Sequence, residues 1–204
     1  MNLHGIKDGR RRRIFGERGA SAVEAVIVTP VVMALIFGII ELGFVFKDYL
    51  AVAGAVRAGV RIAAASPRTS TFAQLSADRV AKTGGAMDFK DVQQMWVYKV
   101  DPTDPTSSKP FGKTDFDHGC DPCVQFGWDV GTHAFVSTSD TWLASTQNAC
   151  SSSSLGGPPD RIGVYLKLKH DAFTGLLFNT LYISESSILS LEPVPVEGGC
   201  KPPS

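Results

Sequence analysis

The chain has 204 residues, in which 20 Lys and Arg balance 20 Asp and Glu, with 44% hydrophobic residues and four cysteines. A neutral overall balance does not suggest the electrostatic footprint of nucleic-acid binding, so no nucleic-acid partner is expected. The length allows one modest domain beside any N-terminal segment.

Charge is unevenly placed. Lys7, Arg10 to Arg13 and Arg18 face only Asp8 and Glu17, so residues 1–19 carry six positive charges against two negative, a net +4. From Ala20 onward 14 positive charges meet 18 negative ones, a net −4. Ala25 to Ile40 holds no charge, and after Glu41 the apolar run resumes through Leu42 to Phe46 before Lys47 and Asp48. As a helix rising about 1.5 Å per residue, residues 25–46 reach about 33 Å, enough to cross a bilayer core. The positive-inside rule then places residues 1–18 in the cytoplasm and 50–204 outside, in a single-pass protein of the cytoplasmic membrane.

Three targeting readings compete. A cleaved secretory signal has a shorter apolar region followed by a small-x-small site; Ala51-Val52-Ala53 fits that site but lies beyond Glu41, Lys47 and Asp48. Arg12-Arg13-Ile14-Phe15 allows a twin-arginine signal, although no cofactor motif follows. An uncleaved signal anchor accounts for the topology and treats Gly19 and Glu24 as incidental.

The junction between the basic and apolar segments reads Gly19-Ala20-Ser21-Ala22-Val23-Glu24. A carboxylate at the mouth of an apolar run is costly unless it is paired or wet. The junction resembles the sites cut by prepilin peptidases, with cleavage after Gly19 and Glu24 fifth in the mature chain. Together with Thr29-Pro30, Glu41-Leu42-Gly43 and Arg57-Ala58-Gly59-Val60-Arg61, the stretch from residue 18 to about 65 resembles TadE-like proteins of the tight-adherence (Flp-type) pilus system. The resemblance implies a bacterial minor pilin-like or pilus-assembly component. Its partners would be the membrane, a prepilin peptidase, other pilin-like subunits and the pilus assembly machinery. It further implies that the Glu24 carboxylate pairs with the new amine at Ala20 of a neighbouring subunit, and that a strand-rich exported region with a Leu-Glu-Pro near its end follows. An interfacial glutamate at the positive end of a helix is the plainer account of Glu24.

Pro30 removes one backbone hydrogen bond inside the span, and reads either as a hinge for leaving the bilayer or as an ordinary membrane-helix proline. Glu41 reads chiefly as the outer boundary of the span, although its turn-spaced partners Phe37, Val45 and Ile40 also suit a residue facing a protein neighbour or the lipid headgroups. From Tyr49 to Ala65 the residues Val52, Val56, Gly59 or Val60 and Ala63 recur at helical steps, with small residues suited to close packing. Arg57 and Arg61 share one side, as a solvated stripe or as partners of the exported domain. Ser66-Pro67 ends the helix.

Beyond it, Thr71 to Thr83 is expected to form an amphipathic helix with Phe72, Leu75, Ala77 and Val80 grouped, stopped by Gly84-Gly85. Val92 to Val100 reads as a strand and Asp101 to Lys113 as a loop. Arg161 to His170 alternates as a half-buried strand, and Leu181 to Leu191 is a further strand whose alternation slips near Ser186, as at a bulge. Residues 171–179 would link these two as a hairpin arm or short helix. With three main strands, the core is small.

Four cysteines in an exported domain favour two disulfides among Cys120, Cys123, Cys150 and Cys200. Cys120 and Cys123 are expected to bond outward rather than to each other, since otherwise Cys150 and Cys200 must staple the Ser-rich loop to the tail. Zinc is the weaker reading, because Cys150 and Cys200 come singly and His118, His133 and His170 lack ligand spacing, so no metal is expected. No catalytic or phosphate-binding motif is present, and Trp96, Trp128 and Trp142 suit a core better than a site. The chain is therefore expected to be a non-enzymatic α+β protein without cofactors. Its divisions are a basic leader at 1–19, a membrane and extended helix at 20–66, and an extracytoplasmic domain with an antiparallel sheet at 67–204. The alternative function is an uncleaved, membrane-anchored extracytoplasmic binding domain.

Overall fold

A computed structural model describes residues 15–101, 104, 106–150, 158–175 and 177–194, with the backbone alone for 15–18 and 20. Helix α1 runs unbroken from Phe15 to Ala64, 50 residues that carry straight through Pro30. Helix α2 (Phe72–Thr83) follows, then five strands: β1 (Val92–Val100), β2 (Cys123–Asp129), β3 (Ala134–Asp140), β4 (Arg161–Asp171) and β5 (Thr180–Ser190). They form one antiparallel sheet ordered β3-β2-β1-β4-β5. The expected α+β architecture, a long apolar helix leading to a small domain with an antiparallel sheet, is the architecture of the protein.

The two halves of α1 differ. Every residue from 21 to 36 is exposed, and the helix meets the domain from Phe37 and Gly38 onward. Beyond that point a single stripe faces inward: Glu41, Val45, Asp48, Val52, Val56, Val60 and Ala63, at steps of three and four residues. Its apolar members share one core with Phe72, Ala77 and Val80 of α2 and with Met95, Val97, Val164, Leu166 and Leu168 of the sheet. Each buried valine there contributes about 1.5–3 kcal/mol relative to exposure. The C-terminal end of α1 is held too, since the Glu192 N–H donates to the Ala64 carbonyl at 2.9 Å. Leu191-Glu192-Pro193 thereby ties the helix end to the strand that precedes it.

The small residues of α1 do allow close approach. A Cβ on Gly59 would lie 2.6 Å from Val80 Cγ2 and 3.3 Å from the Ser76 carbonyl oxygen, so α2 crosses at the glycine. The same crossing corrects the expected grouping on α2: Ser76 is buried and Leu75 is exposed, because a leucine has no room between the helices. Gly84 ends α2, its N–H donating to the Val80 carbonyl.

The sheet is covered on both faces, which a half-buried reading of β4 did not foresee. Behind the helix-facing core lies a second cluster of Trp96, Tyr98, Val100, Tyr165, Cys120 and Cys123, closed by Phe116 from the 101–122 connection. Phe116 stacks on Tyr165 with ring centroids 4.0 Å apart and meets Tyr98 edge-on at 5.5 Å. The Arg161 guanidinium donates to the carbonyls of Asp104 at 2.6 Å and Ser107 at 3.1 Å, pinning that connection to β4. Gly163 is needed beneath it, since a Cβ there would come within 2.3 Å of the Tyr98 ring.

Two expectations are corrected by this arrangement. β4 and β5 pair without interruption from Arg161↔Ser190 to Asp171↔Thr180, so there is no bulge at Ser186. The alternation slips because Ile183 and Leu189 belong to the helix-facing side and Ile188 packs on the second cluster, so both faces demand apolar residues. The irregularities lie between Val92 and Gln94 and between Gln125 and Phe126. The sheet also holds five strands where three were expected; β2 and β3 had been passed over.

Two outcomes follow from the packing. Gly59→Val should force α1 and α2 apart and lower stability by about 1–3 kcal/mol in thermal or denaturant unfolding. The Tyr98 hydroxyl donates to the Ser108 carbonyl at 2.7 Å, and burial pushes its ionisation well above the ordinary value of 10.0. Because the folded value exceeds the unfolded one, the stability this neutral phenol contributes is complete below about pH 10 and is lost as pH rises beyond it. A spectrophotometric alkaline titration should show a late-ionising tyrosine that disappears in Tyr98→Phe.

Candidate functional site

The residues singled out at the junction lie together at the free end of α1. Gly19 is helical and exposed, Ala20 follows within the same helix, and Glu24 and Pro30 are exposed in the stretch 21–36. That stretch shows Val23, Val26, Ile27, Val31 and Leu35 to the surroundings, and the helix from Ser21 onward is long and apolar enough to cross a membrane. An exposed apolar surface that encircles a helix needs lipid or protein around it.

The second part of the site was missed as such. Glu41 is only 1% exposed, so it faces the domain rather than lipid headgroups. The Thr174 hydroxyl, on the turn between β4 and β5, donates to Glu41 Oε2, while Oε1 is buried without a hydrogen bond among the described residues. Two turns further along the stripe, Asp48 Oδ2 lies 2.7 Å from His170 Nδ1, and Oδ1 lies 2.9 Å from Lys47 Nζ. The last residues of β4 and the turn beyond therefore form a polar collar around α1. A cavity of about 400 Å³ opens beside it, lined by Glu41, Phe44, Lys47, Asp48, His170 and Phe173. A signal for this existed: stepping back from Val52 by four, three and four residues gives Asp48, Val45 and Glu41, on the same helix face.

On the far side of the collar, Leu42, Val45, Phe46 and Tyr49 of α1 and Leu181 to Ser184 of β5 bound an apolar groove of about 740 Å³. β5 is a sheet edge there. Arg57 and Arg61 are exposed and form no ion pair among the described residues, in keeping with a solvated stripe.

The cysteines stand apart from both parts. Cys120 and Cys123 are bonded to each other, their Cα atoms 5.7 Å apart, which overturns the expectation that they reach outward. That expectation held the direct stapling of the Ser-rich loop to the tail to be awkward, yet Cys150 already forms a parallel bridge with Val194 and the Val194 N–H donates to the Ala149 carbonyl at 2.8 Å. Cys150 is disulfide-bonded, and Cys200 lies outside the described residues. Of the histidines, His118 pairs with Asp115 at the surface, His133 sits in the β2–β3 turn at φ 52°, and His170 serves the collar. Trp96 and Trp142 are buried, and Trp128 stacks on Phe89 with centroids 4.4 Å apart, so all three are packing residues.

The collar can be tested directly. His170→Ala removes a hydrogen-bond partner of the buried Asp48 carboxylate and should lower unfolding stability in detergent by about 1–3 kcal/mol. Thr174→Val should act in the same direction with a smaller effect.

No curated protein and no solved structure matches the chain. The family model of TadE-like proteins matches residues 19–61, from the small-residue junction, through the exposed apolar stretch and the collar, to the second of the paired arginines. Residues 19–61, which hold the junction and the α1 side of the collar, are thus similar to TadE-like proteins, whereas His170 and Thr174 lie beyond the matched stretch.

Proposed function

We propose that the protein is a minor pilin-like structural or assembly component of a tight-adherence (Flp-type) pilus. In this reading its basic leader stays in the cytoplasm, a prepilin peptidase cuts between Gly19 and Ala20, and the domain beyond the collar lies outside the cytoplasmic membrane. The observation that carries the reading is the free half of α1: sixteen residues exposed all round, mostly apolar with Glu24 as their single charge, and continuous with a helix that is core to the domain. Such a helix suits lipid first and the helices of neighbouring subunits later. Glu24 then acts as an assembly residue, neutralised by the amine that cleavage creates at Ala20 of a neighbour, since a lone carboxylate at that depth costs a few kcal/mol. Pro30 supplies a place where the helix can bend on leaving the bilayer. The role is structural, with the membrane, the peptidase and other pilin-like subunits as partners.

Processing and assembly are tested separately. N-terminal sequencing of the membrane-derived protein should begin at Ala20, and Gly19→Leu should block the cut by crowding a site that takes a small residue. A mature protein starting at Met1 or Asn2 would favour the uncleaved anchor with a binding domain. Glu24→Val should leave insertion, cleavage and protein level near those of the parent while reducing co-purification of pilin-like subunits and piliation. Normal piliation in that variant would end the assembly reading.

A further inference from the structure

We propose that the turn between β4 and β5 is a second membrane-contacting element, with Phe173 and Leu177 entering the outer edge of the hydrocarbon beside α1. The inference rests on reading residues 21–36 as the membrane anchor, and it concerns the surface next to that anchor.

Depth is the first argument. The sixteen residues from 21 to 36 rise only about 24 Å, short of the roughly 30 Å of a bilayer core. About 20 residues are needed to cross it, which puts the outer edge near Ile40 if the core starts at Ser21 and near Phe44 if it starts at Ala25, just past Glu24. The turn is fastened to α1 within that interval. Leu177 Cδ1 lies 3.7 Å from where a Cβ on Gly38 would be, and the Thr174 hydroxyl donates to Glu41. A domain docked on the helix at Gly38 therefore brings its turn to the level of the acyl chains.

The chemistry of the turn matches that level. Phe173 is 77% exposed and Leu177 56%, although hairpin tips facing water are ordinarily built from Gly, Asn, Asp and Ser. Leu42 and Phe44 of α1 are also exposed at this height, while Tyr49, Tyr182 and Lys47 lie beyond them, the change from apolar to amphipathic side chains seen at a membrane interface. Glu41 is buried under Thr174, so no unshielded carboxylate faces lipid where it would be costly. This exposed apolar surface continues that of residues 21–36, which encircles the helix. A lipid surface covers such a girdle, whereas one docked neighbour covers a single face.

Two points of contact fix what one helix leaves free. A lone anchor lets the domain turn about the helix axis, and the turn sets its height and facing. It is also a contact that has to be withdrawn when the subunit leaves the bilayer.

The test uses the full chain in phosphatidylcholine and phosphatidylglycerol vesicles whose lipids carry a nitroxide either near the headgroup or in mid-chain. Phe173→Trp and Leu177→Trp report the turn, Val28→Trp the middle of the span and Phe111→Trp a surface loop remote from it, each after subtraction of the parent's own tryptophan signal. The headgroup-proximal nitroxide should quench Phe173→Trp and Leu177→Trp roughly twofold or more beyond Phe111→Trp, and the mid-chain one should quench Val28→Trp. Turn tryptophans quenched no more than Phe111→Trp, with Val28→Trp still quenched, overturn the insertion of the turn and leave the anchor standing. An unquenched Val28→Trp overturns both. A blue shift at Phe173→Trp that grows with protein-to-lipid ratio, without quenching, overturns lipid as the occupant in favour of a second copy.

Discussion

One 50-residue helix has to satisfy two surroundings, and the rest of the molecule is arranged around that demand. Its free half is exposed on every side and mostly apolar, while its docked half presents a single stripe to a sheet and a second helix. No break separates the two. A continuous helix whose free half is apolar and whose other half is core to a folded domain couples the position of one to the position of the other.

The transition between these surroundings falls at the collar. Glu41 and Asp48 sit on the inward stripe where a valine or alanine would otherwise pack, and each is met by a side chain from the end of β4 or the turn after it. Buried carboxylates need such partners, and removing one partner costs more than the pair contributes. The collar therefore specifies register: only one rotation and height of α1 brings Glu41 to Thr174 and Asp48 to His170 together. At the other end, the Glu192 N–H on the Ala64 carbonyl completes the fixation. A pilus component built this way would carry force along the helix directly into its sheet.

The domain gains much of its stability by covering both faces of a five-stranded sheet. The helices close one face, and the connection from β1 to β2 closes the other with Phe116, the Cys120–Cys123 disulfide and the carbonyls bound by Arg161. Small exported domains that cannot enlarge a single core commonly rely on such supplements. The polar β3 and the long β5 remain at the edges, and β5 bounds the apolar groove it forms with α1.

The sequence by itself determined the long apolar helix, the basic segment before it, the small-residue junction with Glu24, the helical repeat of Val52, Val56, Val60 and Ala63, and the strands read at Val92–Val100 and Arg161–His170. These are set by local physics, namely charge against lipid, a period of 3.6 or 2, and the chain-breaking effect of proline before residue 70. β3 was not legible because Ala134–Asp140 is mostly polar and acquires its role only by pairing with β2, although the alternation of Val124, Phe126 and Trp128 was available to mark β2 itself. The burial of Glu41, the closing of Cys120 on Cys123 and the second aromatic cluster were decided by tertiary structure alone. Each depends on partners between 3 and 133 positions away whose approach is set by the sheet order, and a one-dimensional pattern does not carry that order.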